Sequence, residues 1–207
     1  RYMMEIAEDF AGIKAINPHV IHNVIDPIRF PYIQKDAPDR MRIVSVRTFD
    51  KRNYGTDLMS LAIMELSKQK WFSELSVRII GDGKHHEEDT RPLMSYSNVS
   101  IEKGFVGEEA LREVLVESGI ALLPTRWDSQ GMMMGEAMAS GLVPVTNSVA
   151  AIPEFADTRS AKLAEAENYE QLAKGIVELV ENPDQFLEMS YDVQERVRAQ
   201  CGPHVTV

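Results

Sequence analysis

Asp128 and Glu136, separated by residues 129–135, sit in the stretch whose residue types best suit a phosphorylated, hydroxyl-rich ligand. Gly119-Ile-Ala-Leu-Leu123 reads as a buried strand stopped by Pro124. It turns through the polar loop Thr125-Arg-Trp-Asp128-Ser-Gln130 into a helix pattern that opens at Gly131 and stops at Gly141. Backbone N–H groups at a helix start lack intrahelical acceptors and carry partial positive charge, so the amides near Gln130–Met132 suit a phosphate. Glycine at 131 lets a ligand approach the backbone closely. Glu136 lies about five residues in, roughly 7.5 Å along the axis. That is too deep to repel the phosphate strongly, yet close enough to accept two ribose hydroxyls. Asp128, in the loop, can do the same for a sugar. The plainer alternative is a capped helix start followed by a surface glutamate.

Other chemical groupings are weaker. No Gly-x-x-x-x-Gly-Lys-Ser/Thr is present, and Gly81-Asp-Gly83-Lys84 lacks the third glycine of a dinucleotide fingerprint. His85-His86-Glu87-Glu88-Asp89 has metal-ligand types but no metal-ligand spacing, and reads as a solvated acidic loop; no metal site is expected. Of Met132-Met-Met134, two of the three should face neighbouring core at helical spacing. Trp71 reads as core, whereas Trp127 is either a pocket wall at the ligand edge or a partly exposed packing residue.

The elements that must position these groups follow from periodicity. Tyr2–Ile16 carries an apolar helical face through Met3, Ile6, Phe10 and Ile13, and ends at Asn17-Pro18. Pro27, Pro31 and Pro38 then mark a linker draped over a surface. From Met41 short β-branched runs (42–46, 76–80, 98–101, 119–123, 142–146 and 161–163) alternate with helical patterns (56–71, 87–95, 108–117, 131–140, 169–180 and 184–199). Such alternation implies an α/β fold with a Rossmann-like doubly wound parallel sheet, which binds ligands outside the carboxyl ends of its strands.

The stretch Asp128…Glu136-Ala-Met-Ala-Ser-Gly141-Leu-Val-Pro144-Val145 resembles the donor-side motif of the retaining GT-B glycosyltransferases of family 4 (glycosyl transferases group 1): Glu, seven residues, Glu, then Ala-Met-Ala-x-Gly-x-Pro-Val. One extra residue precedes Pro144, and Asp128 stands where the family usually has Glu. Val20–Phe30, Gly81-Asp-Gly83, Val99–Val106 with Gly104, and Ile152-Pro153-Glu154 are similar to further blocks, so the resemblance covers about residues 18–185. It implies one half of a GT-B fold. Residues 1–16 would be a terminal helix of an N-terminal acceptor domain outside this chain, 17–40 the interdomain linker, and 41–207 the nucleotide-sugar-binding domain. A chain beginning on Arg rather than Met also reads as a piece of something longer.

The implied function is transfer of a sugar, with retention, from a nucleotide-sugar to a glycan or lipid-linked acceptor, as in polysaccharide biosynthesis. The fragment alone is expected to be inactive, and no cofactor is expected. The developing charge sits on the leaving diphosphate and needs preorganised positive charge. The resemblance assigns catalytic roles to Arg47, Arg52, Asp128 and Glu136. It assigns nucleotide-sugar contacts to Lys51, Gly81, Gly104, Phe105, Val106, Thr125, Gln130, Gly131 and Met132. Glu136 would hold the ribose and Asp128 the transferred sugar, while Lys51, Arg52 and Tyr54 compete for the family's lysine position. Nothing reads as a nucleophile with an activating base. A non-catalytic sugar-nucleotide-binding module and a non-hydrolysing sugar-nucleotide epimerase share the architecture and stand as alternatives.

Composition sets outer bounds. With 22 basic and 32 acidic residues the net charge is −10, which argues against nucleic acid as a partner. A hydrophobic fraction of 44% supports a sizeable core. Lone Cys201 excludes an intrachain disulfide and points to a reducing compartment. No apolar run spans a membrane and no signal peptide is evident, so a cytoplasmic location is expected, with peripheral membrane contact if the acceptor is lipid-linked.

Overall fold

The computed structural model describes residues 1–206. Six strands, β1 (Arg42–Val46), β2 (Ser76–Gly81), β3 (Val99–Lys103), β4 (Ile120–Leu122), β5 (Val143–Asn147) and β6 (Lys162–Ala164), form one all-parallel sheet in the order β3-β2-β1-β4-β5-β6. The order reverses between β1 and β4, which pair through Ile43↔Ile120 and Val44↔Ala121. Their carboxyl-end loops therefore leave in opposite directions and open a crevice at the switch point.

The central strands are apolar on both faces because helices cover both. One face, with Ile43, Val77, Ile79, Ile120 and Val145, packs against α2 (Thr56–Leu66) and α7 (Tyr169–Glu181). The other, with Val44, Ile80, Ala121 and Leu123, packs against α4 (Glu108–Glu117), α5 (Met132–Ala139) and α8 (Pro183–Cys201). Ile25 and Phe30 of the proline-rich segment join this second core, and Ile25 N–H donates to the Cys201 carbonyl at 2.8 Å. Lys35 is buried and donates to the Leu115 and Val116 carbonyls at the end of α4, both at 2.9 Å. Burial pushes its ammonium down to about 8.

Four expectations need correction. The first helix, α1 (Tyr2–Ala11), ends before Ile16 because Gly12 turns left-handed at φ 66°. Beyond Tyr2, which packs on the second core, its apolar face stays exposed among the described residues; Phe10 is 93% exposed. The segment 87–95 is not one helix but α3 (His86–Thr90) followed by a 3₁₀ turn over Arg91–Leu93, which Pro92 imposes. The 85–89 run is not a solvated loop: His86 and Asp89 are buried, and His86 meets the Phe49 ring edge-on at 4.9 Å. Trp71 is half-buried against the core rather than within it, its indole N–H 3.4 Å from Glu181. Of the three consecutive methionines, Met134 is buried, Met133 packs partly against the core and Met132 is exposed. The remaining short helices are α6 (Ile152–Phe155) and α9 (Pro203–Thr206).

Gly81 lets β2 pass under the turn after β1: a Cβ there would lie 1.8 Å from the Arg47 carbonyl oxygen. Substituting Gly81→Ala should therefore lower unfolding stability by about 3 kcal/mol, the upper range for overpacking a rigid contact. A denaturant midpoint unchanged from the parent would refute this account.

Candidate functional site

The loop after β1 begins with Arg47, whose side chain lies on the crevice floor. Its Nη2 donates to the Leu123 carbonyl at the end of β4 (3.2 Å), and its guanidinium lies 5.5 Å from the Tyr54 ring centroid. Its Nε is buried with no hydrogen-bond partner among the described residues. Burial lowers the Arg47 pKa, and the nearby Asp128 and Tyr54 act in the opposite direction. A guanidinium stays protonated in such a setting, so the crevice holds a desolvated cation with no direct carboxylate bond.

The loop after β4 runs from Leu123 to Gly131. Asp128 Oδ1 accepts from Gln130 N–H (3.1 Å) and Gly131 N–H (2.7 Å), so two amides expected to face a phosphate already have an anionic partner. Gly131 adopts φ 74°, which swings the chain into α5. No acidic residue occupies the first turn of α5, and no side chain caps its Met132 start. The positive end of that helix thus begins at Met132. Glu136, one turn further, is half-buried, and its carboxylate makes no hydrogen bond among the described residues. Burial, and secondarily the charge of Glu108 at the start of α4, push its carboxyl pKa up.

The expected basic pair separates. Arg52 is engaged by acids, Nη1 on Asp89 (2.6 Å) and Nη2 on Glu88 (2.8 Å). Asp89 also accepts from Thr56 Oγ1 at 2.6 Å. Lys51 is exposed and carries no salt bridge among the described residues, and Tyr54 stacks on Arg47. Gln130 also turns away. Its amide accepts from Asn23 N–H (2.7 Å) and donates to the Asn23 carbonyl (2.9 Å), while Nε2 lies 3.5 Å from Cys201 Sγ. Thr125 is buried, its hydroxyl within hydrogen-bond distance of the Asn53 and Trp127 carbonyls (3.0 and 3.2 Å). Gly81 is likewise taken up by main-chain packing, its carbonyl accepting from Gly104 N–H at 3.1 Å.

After β3 the chain rises through Gly104, which has open space on its Cβ side. Phe105 is 81% exposed and Val106 half-buried. Trp127 is 43% exposed on the facing loop, which favours neither wall nor packing exclusively. Sequence reasoning missed Arg126, which binds Asp57 and Glu167 together. The only local signal was an acidic residue in the first turn of α2, Asp57. Among the described residues no group of three or more His, Cys, Asp and Glu is arranged to hold a metal ion.

Residues 40–182 match the family described as glycosyl transferases group 1. Over 117 residues the chain is 30% identical to an uncharacterised 41.2 kDa protein in the cps region of Klebsiella pneumoniae; this covers 56% of the chain but only 30% of that protein. Among solved structures, the C-terminal domain of LpcC, a glycosyl transferase group 1 family protein from Francisella tularensis, matches at 15% identity. Its TM-score is 0.69, with 86% of this chain and 99% of that one covered. HepE from Anabaena, solved with UDP and glucose, matches at 14% identity and a TM-score of 0.78, covering 98% of this chain and 58% of that one. TarM from S. aureus, solved with UDP among its ligands, matches at 15% and 0.78, covering 95% and 39%. The chain thus shares the fold of a GT-B C-terminal domain and spans well under two thirds of several of these relatives.

Two outcomes follow from these two carboxylates. Asp128→Ala removes the acceptor that holds Gln130 and Gly131, and should cost about 1 kcal/mol of unfolding stability, whereas Asp128→Asn should cost less. Equal losses for both in chemical denaturation would show that the capping bonds do not matter. Glu136 has a folded-state pKa above its unfolded value, so across that interval the folded state holds more proton and stability falls as pH rises. Glu136→Gln should abolish this fall and be the more stable form at neutral pH. Parallel pH–stability curves for the two proteins would contradict it.

Proposed function

The chain belongs to the glycosyl transferases group 1 family, and from that premise we propose that its crevice binds the nucleotide-sugar donor of a retaining sugar transfer. The observation that supports this most is Arg47, a buried guanidinium with an unpartnered Nε at the switch point between β1 and β4. A nucleoside diphosphate is the kind of ligand that supplies the missing counter-charge.

On this reading Arg47 and Lys51 take the diphosphate, together with the amides that open α5 from Met132. As the bond between the anomeric carbon and phosphate oxygen breaks, negative charge grows on the leaving diphosphate, and these fixed donors stabilise it. Arg52, paired with Asp89 and Glu88, acts on this reading through the loop that carries Lys51. Glu136 accepts ribose hydroxyls in its ionised form. Asp128 lies beside the diphosphate and the transferred sugar, its second oxygen available for a hydroxyl while Oδ1 holds the loop. Gly104, Phe105 and Val106 face the base.

The acceptor, a glycan or a lipid-linked one, belongs to a domain that this chain does not include, and residues 17–40 lead into the donor half from it. The relative in the cps region supports polysaccharide assembly as the setting. HepE and TarM, solved with UDP, make uridine nucleotides the first ligands to try. No helix among the described residues is long and apolar enough to cross a membrane. Peripheral contact with the cytoplasmic face is the proposed route to a lipid-linked acceptor.

Titration calorimetry with UDP, GDP, ADP and the matching nucleosides tests the reading. Binding of one diphosphate is expected, without transfer to an acceptor by this chain alone. Arg47→Ala should weaken that diphosphate by about 1.5–3 kcal/mol and leave the nucleoside unaffected. Affinity should also fall as pH drops through the raised Glu136 pKa, and Glu136→Gln should remove that dependence. Equal losses for nucleoside and diphosphate on Arg47→Ala would show that Arg47 does not face the phosphates.

A further inference from the structure

We propose that Arg126 is a positioning residue that locks the two crevice loops into one rigid rim; this rests on the donor-binding reading above. Its guanidinium uses every N–H it has. Nε and Nη2 donate to the two oxygens of Glu167 (2.6 and 2.8 Å), Nη1 and Nη2 to the two oxygens of Asp57 (2.8 Å each), and Nη1 to the Arg52 carbonyl (2.8 Å). An arginine side chain has five donors, so none is left for a ligand phosphate. Arg47 is the opposite case, with an unpartnered Nε.

The three partners come from different parts of the chain. Arg52 lies in the loop after β1, Asp57 in the first turn of α2, and Glu167 just before α7, in a left-handed conformation at φ 59°. The backbone repeats the join, since Arg126 N–H donates to the Asn53 carbonyl at 2.7 Å and Thr125 Oγ1 to the same oxygen at 3.0 Å. Arg126 therefore ties the loop carrying Asp128 to the loop carrying Arg47 and Lys51. Two carboxylates with bidentate geometry hold it more firmly than exposed ion pairs usually are held. They also raise its own pKa far above the ordinary arginine value.

Trp127, the next residue, supplies a readout that bare stability does not. In a Trp71→Phe background it is the only tryptophan. Arg126→Ala in that background should red-shift Trp127 emission in the ligand-free protein and weaken UDP, GDP or ADP, whichever the parent binds, by about tenfold. Arg126→Lys should restore neither, because an ammonium has too few donors and no planar fork. Unchanged Trp127 emission in Arg126→Ala overturns the proposal, with or without a loss of affinity. So does recovery of both properties by Arg126→Lys. If the parent binds none of the three diphosphates, the donor-binding reading fails by itself, and Trp127 emission still decides whether Arg126 holds the rim.

Discussion

The pairing of β1 with β4 is the constraint from which the crevice follows. Parallel strands need long crossovers, so the two strands at the centre of the sheet send their following loops away to opposite sides. The gap between those loops lies at the carboxyl ends of both strands. Arg47 takes advantage of this place: its backbone continues β1, and its Nη2 reaches over to the Leu123 carbonyl just past β4. Gly81 makes room on the other side by letting β2 run beneath the Arg47 carbonyl without a Cβ. The position of one cation thus depends on the alignment of three strands.

Charge is arranged in layers around that cation. The chain is acidic overall, yet Arg47 has no carboxylate bonded to it among the described residues, whereas Arg126 is held by two and Arg52 by Glu88 and Asp89, with Asp57 a third at 3.9 Å. Holding the outer arginines with acids keeps the rim fixed while leaving the inner one with unmet demand for an anion. Glu136 mirrors this in negative charge, as a half-buried carboxylate without a partner among the described residues and with its pKa pushed up. Groups held at a desolvation cost and without partners are the ones a ligand can reward.

Sequence reasoning reached the sheet, the switch point and α5 because those depend on local pattern: strands buried on both faces are short and β-branched, and Gly131 and Gly141 bracket the helix. It also placed Arg47, Asp128 and Glu136 at one edge. It could not foresee that Arg52 would be drawn off by Asp89, 37 residues away, in a segment that looked solvated. Local charge density hid the burial of His86 and Asp89, since burial there is set by Phe49 and α2 rather than by neighbours in the chain. The same holds for Arg126, whose partners lie 69 and 41 residues away, and for Gln130, whose partner Asn23 lies 107 away. Gly12 ends α1 even though the apolar spacing runs on past it to Ile13 and Ile16.

The Gln130–Asn23 contact has a mechanical meaning. A side-chain amide pairs with both backbone groups of one residue, imitating a strand neighbour, and so acts as a snap fastener between the segment entering the domain and the first peptide before α5. Pulling Asn23 away leaves a buried amide unsatisfied on Gln130, whose own N–H is fastened to Asp128. Two such bonds amount to about 2 kcal/mol, a few times thermal energy. That is firm enough to hold at rest and weak enough to release, so any tilt of the incoming segment is felt first at the turn that carries Asp128.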